Sequence, residues 1–289
     1  MKTAAQKTAA LDPSAGDRLP YAGHLDDHTV MTRGGDLIQM IQVDGIAFET
    51  ADSETLNHMA AVRDVVMRGI ANSSLMLYCH VIRRQVTAEL SGAQPDGFVR
   101  DLDDAWQQQL RGKKLYINDM VLMLVRRPAQ GKIGFFDRLT KWGNGTRNSA
   151  ERLADQTREL RELDAARTNL LSALSRYGPR LLGRYHDANG TCSEPLEILS
   201  ALYNGEMQPV LEPTGDAGQY LPYKRISFGL DALELKGASA ITSRFGAIVS
   251  IKDYPAYTAP GMLDNLLRLP HELTMTESFA FIDRQIADE

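Results

Sequence analysis

Cysteine is almost missing from this sequence, long apolar runs are missing altogether, and neither sign of charge dominates; each shortage removes a class of protein. Two cysteines in 289 residues, Cys79 and Cys192, cannot build a disulfide framework and fit a reducing compartment. The longest unbroken apolar run is the six residues from Met120 to Val125, against the roughly 20 that a membrane-spanning helix needs. The N-terminus lacks the apolar core of a signal peptide, so residues 1–18 read as a disordered, cytosolic tail. Lys and Arg number 32 against 37 Asp and Glu, a formal charge of −5. With no long basic run, sequence-independent binding along a nucleic acid is not expected. What remains, 43% hydrophobic and 24% charged, is an ordinary globular composition, long enough for one large domain or two of ordinary size.

Catalytic signatures are equally scarce. A phosphate-binding loop needs two glycines, a lysine and a Ser or Thr at fixed spacing, so that backbone N–H groups and an ammonium wrap the phosphates. Gly112-Lys113-Lys114 and Gly131-Lys132-Ile133 lack the Ser/Thr and the earlier glycine, and Gly143-Asn144-Gly145-Thr146 lacks the lysine; all three read as turns. His24-Leu25-Asp26-Asp27-His28 places two histidines four apart, but the segment leads into a strand, where that spacing separates them by about 13 Å, too far to share one ion. Cys79 and His80 are adjacent on a strand and point to opposite faces. Gly237-Ala238-Ser239-Ala240 reads as a turn, and the carboxylate pairs Asp26/Asp27, Asp103/Asp104 and Asp283/Asp288 carry no spacing that predicts acid–base work.

Periodicity is what the chain does have. Leu25 to Thr32 and Leu37 to Val43 flank Arg33-Gly34-Gly35-Asp36, a hairpin signal because primed turns need positive φ. Ser53 to Ile70 has helical spacing behind an Asp52 or Ser53 cap. Leu75 to Arg83 and Leu115 to Arg126 read as buried strands, separated by a helix opened by Pro95-Asp96 with Phe98, Leu102, Trp106 and Leu110 every four residues. The longest helix runs from about 149 to 177 and stops at Gly178-Pro179. Beyond it come a strand from Leu181 to His186, then a short helix capped by Ser193 with Pro195 in its first turn and Gly205 past its end. An irregular connection to Tyr220 follows, then strands near Lys224–Leu230, Ile241–Lys252 and Leu273–Ile282, with a helix from Pro260 to Leu269. The expected fold is α+β: two mixed-sheet lobes, residues 19–178 and 179–289, with helices packed on them and one long connecting helix.

Basic pairs end the two central strands. If these strands run parallel, Arg83, Arg84, Arg126 and Arg127 share one edge of the sheet and form a candidate contact for an acidic partner or a phosphate. The tail up to Asp17 and the Gly205–Tyr220 loop are further candidate contact elements. A rival reading, a free-standing hydrolase, would draw its acid–base pair from His24, Asp26, Asp27 and His28.

Leu19-Pro20-Tyr21, HLDDHTVMTRGGDLIQMIQVDG and LMLYCHVIRRQV, followed in order by LYINDMVLMLVRRP, SRYGPRLLGRY, SEPLEILSALYNGE, ISFGLDALELKG and RFGAIVSIKDYPAYTAPGMLDNLL, together resemble the N-terminal domain of the VirB/TrbE/CagE family of type IV secretion and conjugation ATPases. The resemblance covers about residues 17 to 289. It implies a docking and oligomerisation domain that anchors the motor to inner-membrane secretion subunits and other secretion ATPases, at the cytoplasmic face of the bacterial inner membrane. Homo-oligomers from dimer to hexamer are implied, with membrane contact through protein partners and no direct contact to nucleic acid. ATP and Mg belong, by the same resemblance, to a C-terminal RecA-like domain, and no catalytic, cofactor or metal residue of the family carries over to these 289 residues. The closing IDRQIADE reads as the first turns of a further helix without a stop signal, so the chain is expected to be cut before that domain.

The missing phosphate loop makes a direct prediction. A ligand that binds only the native state must raise its stability, so millimolar Mg-ATP should leave the unfolding midpoint of the 289-residue chain unchanged in a thermal melt. An upward shift of several degrees would contradict it.

Overall fold

The computed structural model describes residues 14–45, 52–87, 92, 97–128, 149–237, 239, 242–253, 256–257 and 262–282. The expected tail ends in order: Ser14 caps a helical turn, α1 (Ala15–Arg18), through a reciprocal capping box with Asp17. Strands β1 (Tyr21–His24), β2 (Val30–Thr32) and β3 (Leu37–Val43) follow. The β2–β3 turn forms where the glycine pair predicts it, with Gly35 at φ +91° and the Thr32 N–H donating to the Asp36 carbonyl. The strand expected from Leu25 begins only at Val30. The Asp26 carboxylate accepts the N–H groups of His28 and Thr29 at 2.9 and 2.7 Å, and this side-chain turn displaces the ladder.

Helix α2 (Ser53–Gly69) is capped by Asp52, which accepts the Thr55 N–H. Then come β4 (Leu75–Val86), α3 (Phe98–Arg111), β5 (Leu115–Arg126) and α4 (Ser149–Ala173). The expected long helix thus finishes in a 3₁₀ turn at Ser175–Tyr177, and Gly178 closes it at φ +59°. A Cβ at Gly178 would lie 2.5 Å from the Asp44 carboxylate, so both space and backbone require glycine there. The second half of the chain adds β6 (Arg180–Leu181), the hairpin β7 (Arg184–Asp187) and β8 (Gly190–Ser193), α5 (Glu194–Asn204) and α6 (Ala217–Tyr220). A small sheet of β9 (Arg225–Phe228), β10 (Leu233–Lys236) and β11 (Arg244–Gly246) precedes α7 (Asp264–Leu267) and β12 (Leu273–Ala280). The expected turns after 128 and the closing IDRQIADE beyond Ile282 lie outside the described residues, as do the helix openings at Pro95 and Pro260.

The α+β class holds, but the strand pairs among the described residues are antiparallel throughout and not mixed. The main sheet has the order β1-β2-β3-β5-β4-β12, with β6 also on β3. Strands β6 and β12 therefore bring the second half of the chain into the sheet begun by the first. Because β4 and β5 are antiparallel neighbours over twelve paired positions, α3 is an excursion at the end of a strand pair. A parallel pair would need a crossover helix lying on the sheet face.

Both faces of the sheet are covered. Leu37, Ile41, Val43, Leu75, Leu77 and Leu124 pack with Val66 and Ile70 of α2 and with Leu163, Ala166 and Leu170 of α4. The opposite pleat, Ile38, Met40, Ile82, Val121, Met123 and Val125, packs with Leu196 and Leu199 of α5 and with Ala217 and Leu221. Arg126, only 5% exposed, is held by Glu162 of α4 at 3.0 and 2.8 Å, which ties that helix to the strand end by charge as well as packing.

At the β4–β12 edge His80 lies opposite Thr276. Its Nδ1 pairs with the Thr276 hydroxyl at 2.9 Å, its ring lies parallel to Tyr78, and its Nε2 has no hydrogen-bond partner. Burial pulls its pKa below the ordinary histidine value, so the unfolded chain takes up the proton first and stability falls as pH drops through about 6.5. His24 and the other titrating groups are common to wild type and His80→Gln, so a comparison isolates His80. Urea midpoints at pH 7.5 and 5.5 should fall less in the variant than in wild type; equal falls would refute the assignment.

Candidate interaction surfaces

Antiparallel pairing separates the arginines that a parallel pair would have joined. Arg83 lies opposite Asn118, whereas Arg126 lies opposite Leu75, eight residues along β4, or roughly 27 Å. Both ends are engaged within the fold. Arg83 donates to the Leu269 carbonyl at 3.0 Å and to Asn118 at 3.1 Å, and it sits 4.6 Å over the Tyr116 ring. The Tyr116 hydroxyl donates to the Pro270 carbonyl, so this corner clamps the segment leading into β12. Arg84 pairs with Asp119 at 2.5 Å. Arg126 serves Glu162 and the Arg127 carbonyl, and the backbone N–H of Arg127 donates to Ser74. The four therefore share no contact edge: an assembled basic edge required the parallel arrangement.

The histidine segment is also internal. His24 Nε2 meets the Ser193 hydroxyl at 2.6 Å, and its Nδ1 faces the Asp26 carbonyl at 3.0 Å. A serine beside a histidine is what nucleophilic catalysis requires. Here, however, Ser193 has no exposed surface and its oxygen already accepts the Leu196 N–H as the cap of α5. The pair fastens β1 to the start of α5. His28 Nδ1 faces the Leu182 carbonyl, and Asp27 approaches Arg184, which also pairs with Glu212 at 2.8 Å. No group of three or more His, Cys, Asp or Glu among the described residues could hold a metal ion. Burial pushes the Cys79 thiol up to about 12, helped by Glu277, which leaves it a poor nucleophile.

The two further contact elements expected from sequence, the tail up to Asp17 and the Gly205–Tyr220 loop, meet where the described end of the tail reaches the end of the loop. Arg33, at the β2–β3 turn, grips the Asp216 carboxylate at 2.7 and 2.6 Å and donates to the carbonyls of Gly16 and Asp17. Gln219 reaches Asp17 at 2.6 Å. Helices α1 and α6 approach closely: a Cβ on Gly16 would lie 2.6 Å from the Gln219 side chain, and one on Gly218 would lie 2.7 Å from the Leu19 carbonyl. The guanidinium holds Asp216 below the usual carboxylate range. The described end of the tail and the end of the loop are thus committed to a staple.

Sequence reasoning missed where apolar surface is left open. Phe98, Val99, Leu102 and Trp106 on α3 are exposed, as are Phe228, Phe245, Ile248 and Val249 on and beside the small sheet. Periodicity marked the α3 residues as one face of a helix, but it carries no signal for whether that face is covered.

Among the described residues, then, a helix-backed antiparallel sheet uses its histidine, arginine and carboxylate clusters within the fold and leaves apolar side chains of α3 and the small sheet exposed. Residues 28–133 match the family model for the N-terminal domain of the type IV secretion system ATPase VirB4/TrbE, and residues 180–289 match that of the CagE, TrbE, VirB family, component of type IV transporter systems. The chain belongs to this VirB4/TrbE/CagE family. It is 30% identical over 275 residues to the type IV secretion system protein virB4 of Bartonella henselae, covering 94% of this chain and 34% of that relative. Protein virB4 of Agrobacterium fabrum is 33% identical over 272 residues, 93% of this chain and 33% of its own length. The type IV secretion system protein PtlC of Bordetella pertussis is 29% identical over 276 residues, 93% and 32% respectively. The chain spans about a third of the length of the curated relatives it matches.

The staple is testable by proteolysis. Arg33→Ala should release α1 from α6 and speed cleavage near residues 14–20 and 214–221 under limiting protease, while the sheet core stays resistant. Cleavage unchanged from wild type would show that Arg33 does not hold these segments.

Proposed function

We propose that this chain is the docking and oligomerisation part of a type IV secretion ATPase, anchoring the motor to inner-membrane secretion subunits at the cytoplasmic face of the bacterial membrane. The observation that carries the reading is the pairing of two colinear family matches with a sequence that holds no phosphate loop. In the whole protein, ATP and Mg would be bound and hydrolysed by a RecA-like domain to drive pilus assembly and export of DNA or protein, including in conjugation. Its assemblies would run from dimer to hexamer and include other secretion ATPases. No helix among the described residues is long and apolar enough to cross a membrane, which fits attachment through protein partners. The exposed apolar residues around β9–β11 lie inside the 180–289 match and offer a seat for the motor portion.

The test is capture in cells that carry the cognate secretion machine. The tagged 289-residue chain should co-purify with inner-membrane subunits, and its overproduction should depress substrate transfer by occupying the motor's place. Recovery of no membrane subunit, with transfer unaffected, would sink the reading.

A further inference from the structure

Strand β12 ends the main sheet on the far side of β4, and its side chains are thinly covered. None of its residues is buried: Leu273 and Met275 are half-buried, and everything from Thr276 to Ala280 is exposed. In β3, by contrast, every residue but Gln42 is buried. The ladder to β4 runs from Leu273–Arg83 to Ala280–Met76, and β4 is the only sheet neighbour of β12 among the described residues. A strand paired on one side, with little apolar burial, belongs to the low end of a fold's local stability.

The fasteners of this strand are unevenly placed. Just before it, Arg83 donates to the Leu269 carbonyl at 3.0 Å and the Tyr116 hydroxyl donates to the Pro270 carbonyl at 2.8 Å. Glu272 accepts the Gln85 N–H at 3.1 Å and pairs with Arg244. Within β12 itself the described side-chain hydrogen bond is that of Thr276 with His80 Nδ1. Past its far end, Phe281 is half-buried against the core shared by α2 and α4.

Closure also strands a polar atom. His80 is 4% exposed, and its Nε2 has no hydrogen-bond partner among the described residues. A buried polar nitrogen without a partner carries a desolvation cost that contact with water removes. Raising β12 opens the flank of the His80 ring to water, so the closed form holds a penalty that the lifted form relieves.

We propose that β12 is a releasable strap: it swings from the Arg83–Tyr116 corner and lifts off β4 as a unit, with Phe281 as its catch, while β1 to β5 stay paired. The β4 edge therefore has a closed and an open form. This inference stands apart from the docking role proposed above.

Amide exchange of the intact 289-residue chain, resolved by residue in increasing sub-denaturing urea, tests the strap. The urea dependence of an opening scales with the surface it exposes. Amides bonded across the β4–β12 ladder should exchange at least about a hundredfold faster than those bonded between β3 and β5, with a much shallower urea dependence. A dependence as steep as that of the β3–β5 amides would overturn the proposal, because β12 would then leave only with the whole fold. Phe281→Ala should speed ladder exchange about tenfold and keep the shallow slope; exchange at the wild-type rate would overturn the catch. Cys79 lies directly opposite Glu277, so Glu277→Cys brings two thiols within reach of a disulfide. Once oxidised, as shown by loss of free thiol, the ladder amides should slow toward the β3–β5 rates and adopt their slope, and reduction should reverse both changes. Ladder exchange as fast in the oxidised form as in the reduced one would equally reject the strap.

Discussion

The antiparallel register between β4 and β5 is the constraint on which the rest depends. Twelve consecutive pairs, from Leu75–Arg126 to Val86–Leu115, fix both strands' pleats together, so one set of side chains meets α2 and α4 while the other meets α5 and its neighbours. A slip by one residue would turn both sets over and present each helix layer with the wrong face. The same register sends the intervening helix out beyond the sheet and places the two arginine pairs at opposite ends.

Polar contacts then fasten the layers at their margins. Arg126–Glu162 holds α4, His24–Ser193 holds α5 to β1, Arg33–Asp216 holds α6 to the β2–β3 turn, and Arg83 holds the approach to β12. Each joins elements far apart in sequence, and each uses a side chain that, read singly, suggests chemistry or partner binding. Charged and polar groups at the rim of an apolar core give orientation where packing alone is forgiving.

Local signals explain which parts were legible beforehand. The Arg33–Asp36 turn, the α5 boundaries at Ser193, Pro195 and Gly205, and the strand Leu115–Arg126 depend on neighbours within a few residues, and each is present as expected. The turn at Leu25–His28 was hidden because one aspartate side chain outcompetes the ladder. Strand β10 went unread because Leu233–Lys236 is short and follows a tight turn at Gly229–Ala232. The sense of the β4–β5 pair, and with it the fate of Arg83, Arg84, Arg126 and Arg127, is a long-range property that no window of sequence contains. The open surface of α3 belongs to the same category, since coverage depends on where other elements fall.

The seating of β12 has a consequence for synthesis. His80 and Thr276, side by side in the sheet, are 196 residues apart in the chain. While the nascent chain leaves the ribosome, β4 keeps a bare hydrogen-bonding edge until residues 273–280 have emerged. Closure of that edge therefore waits for a segment 196 residues further along the chain, and a polypeptide released before it would carry an unpaired border open to association with its neighbours.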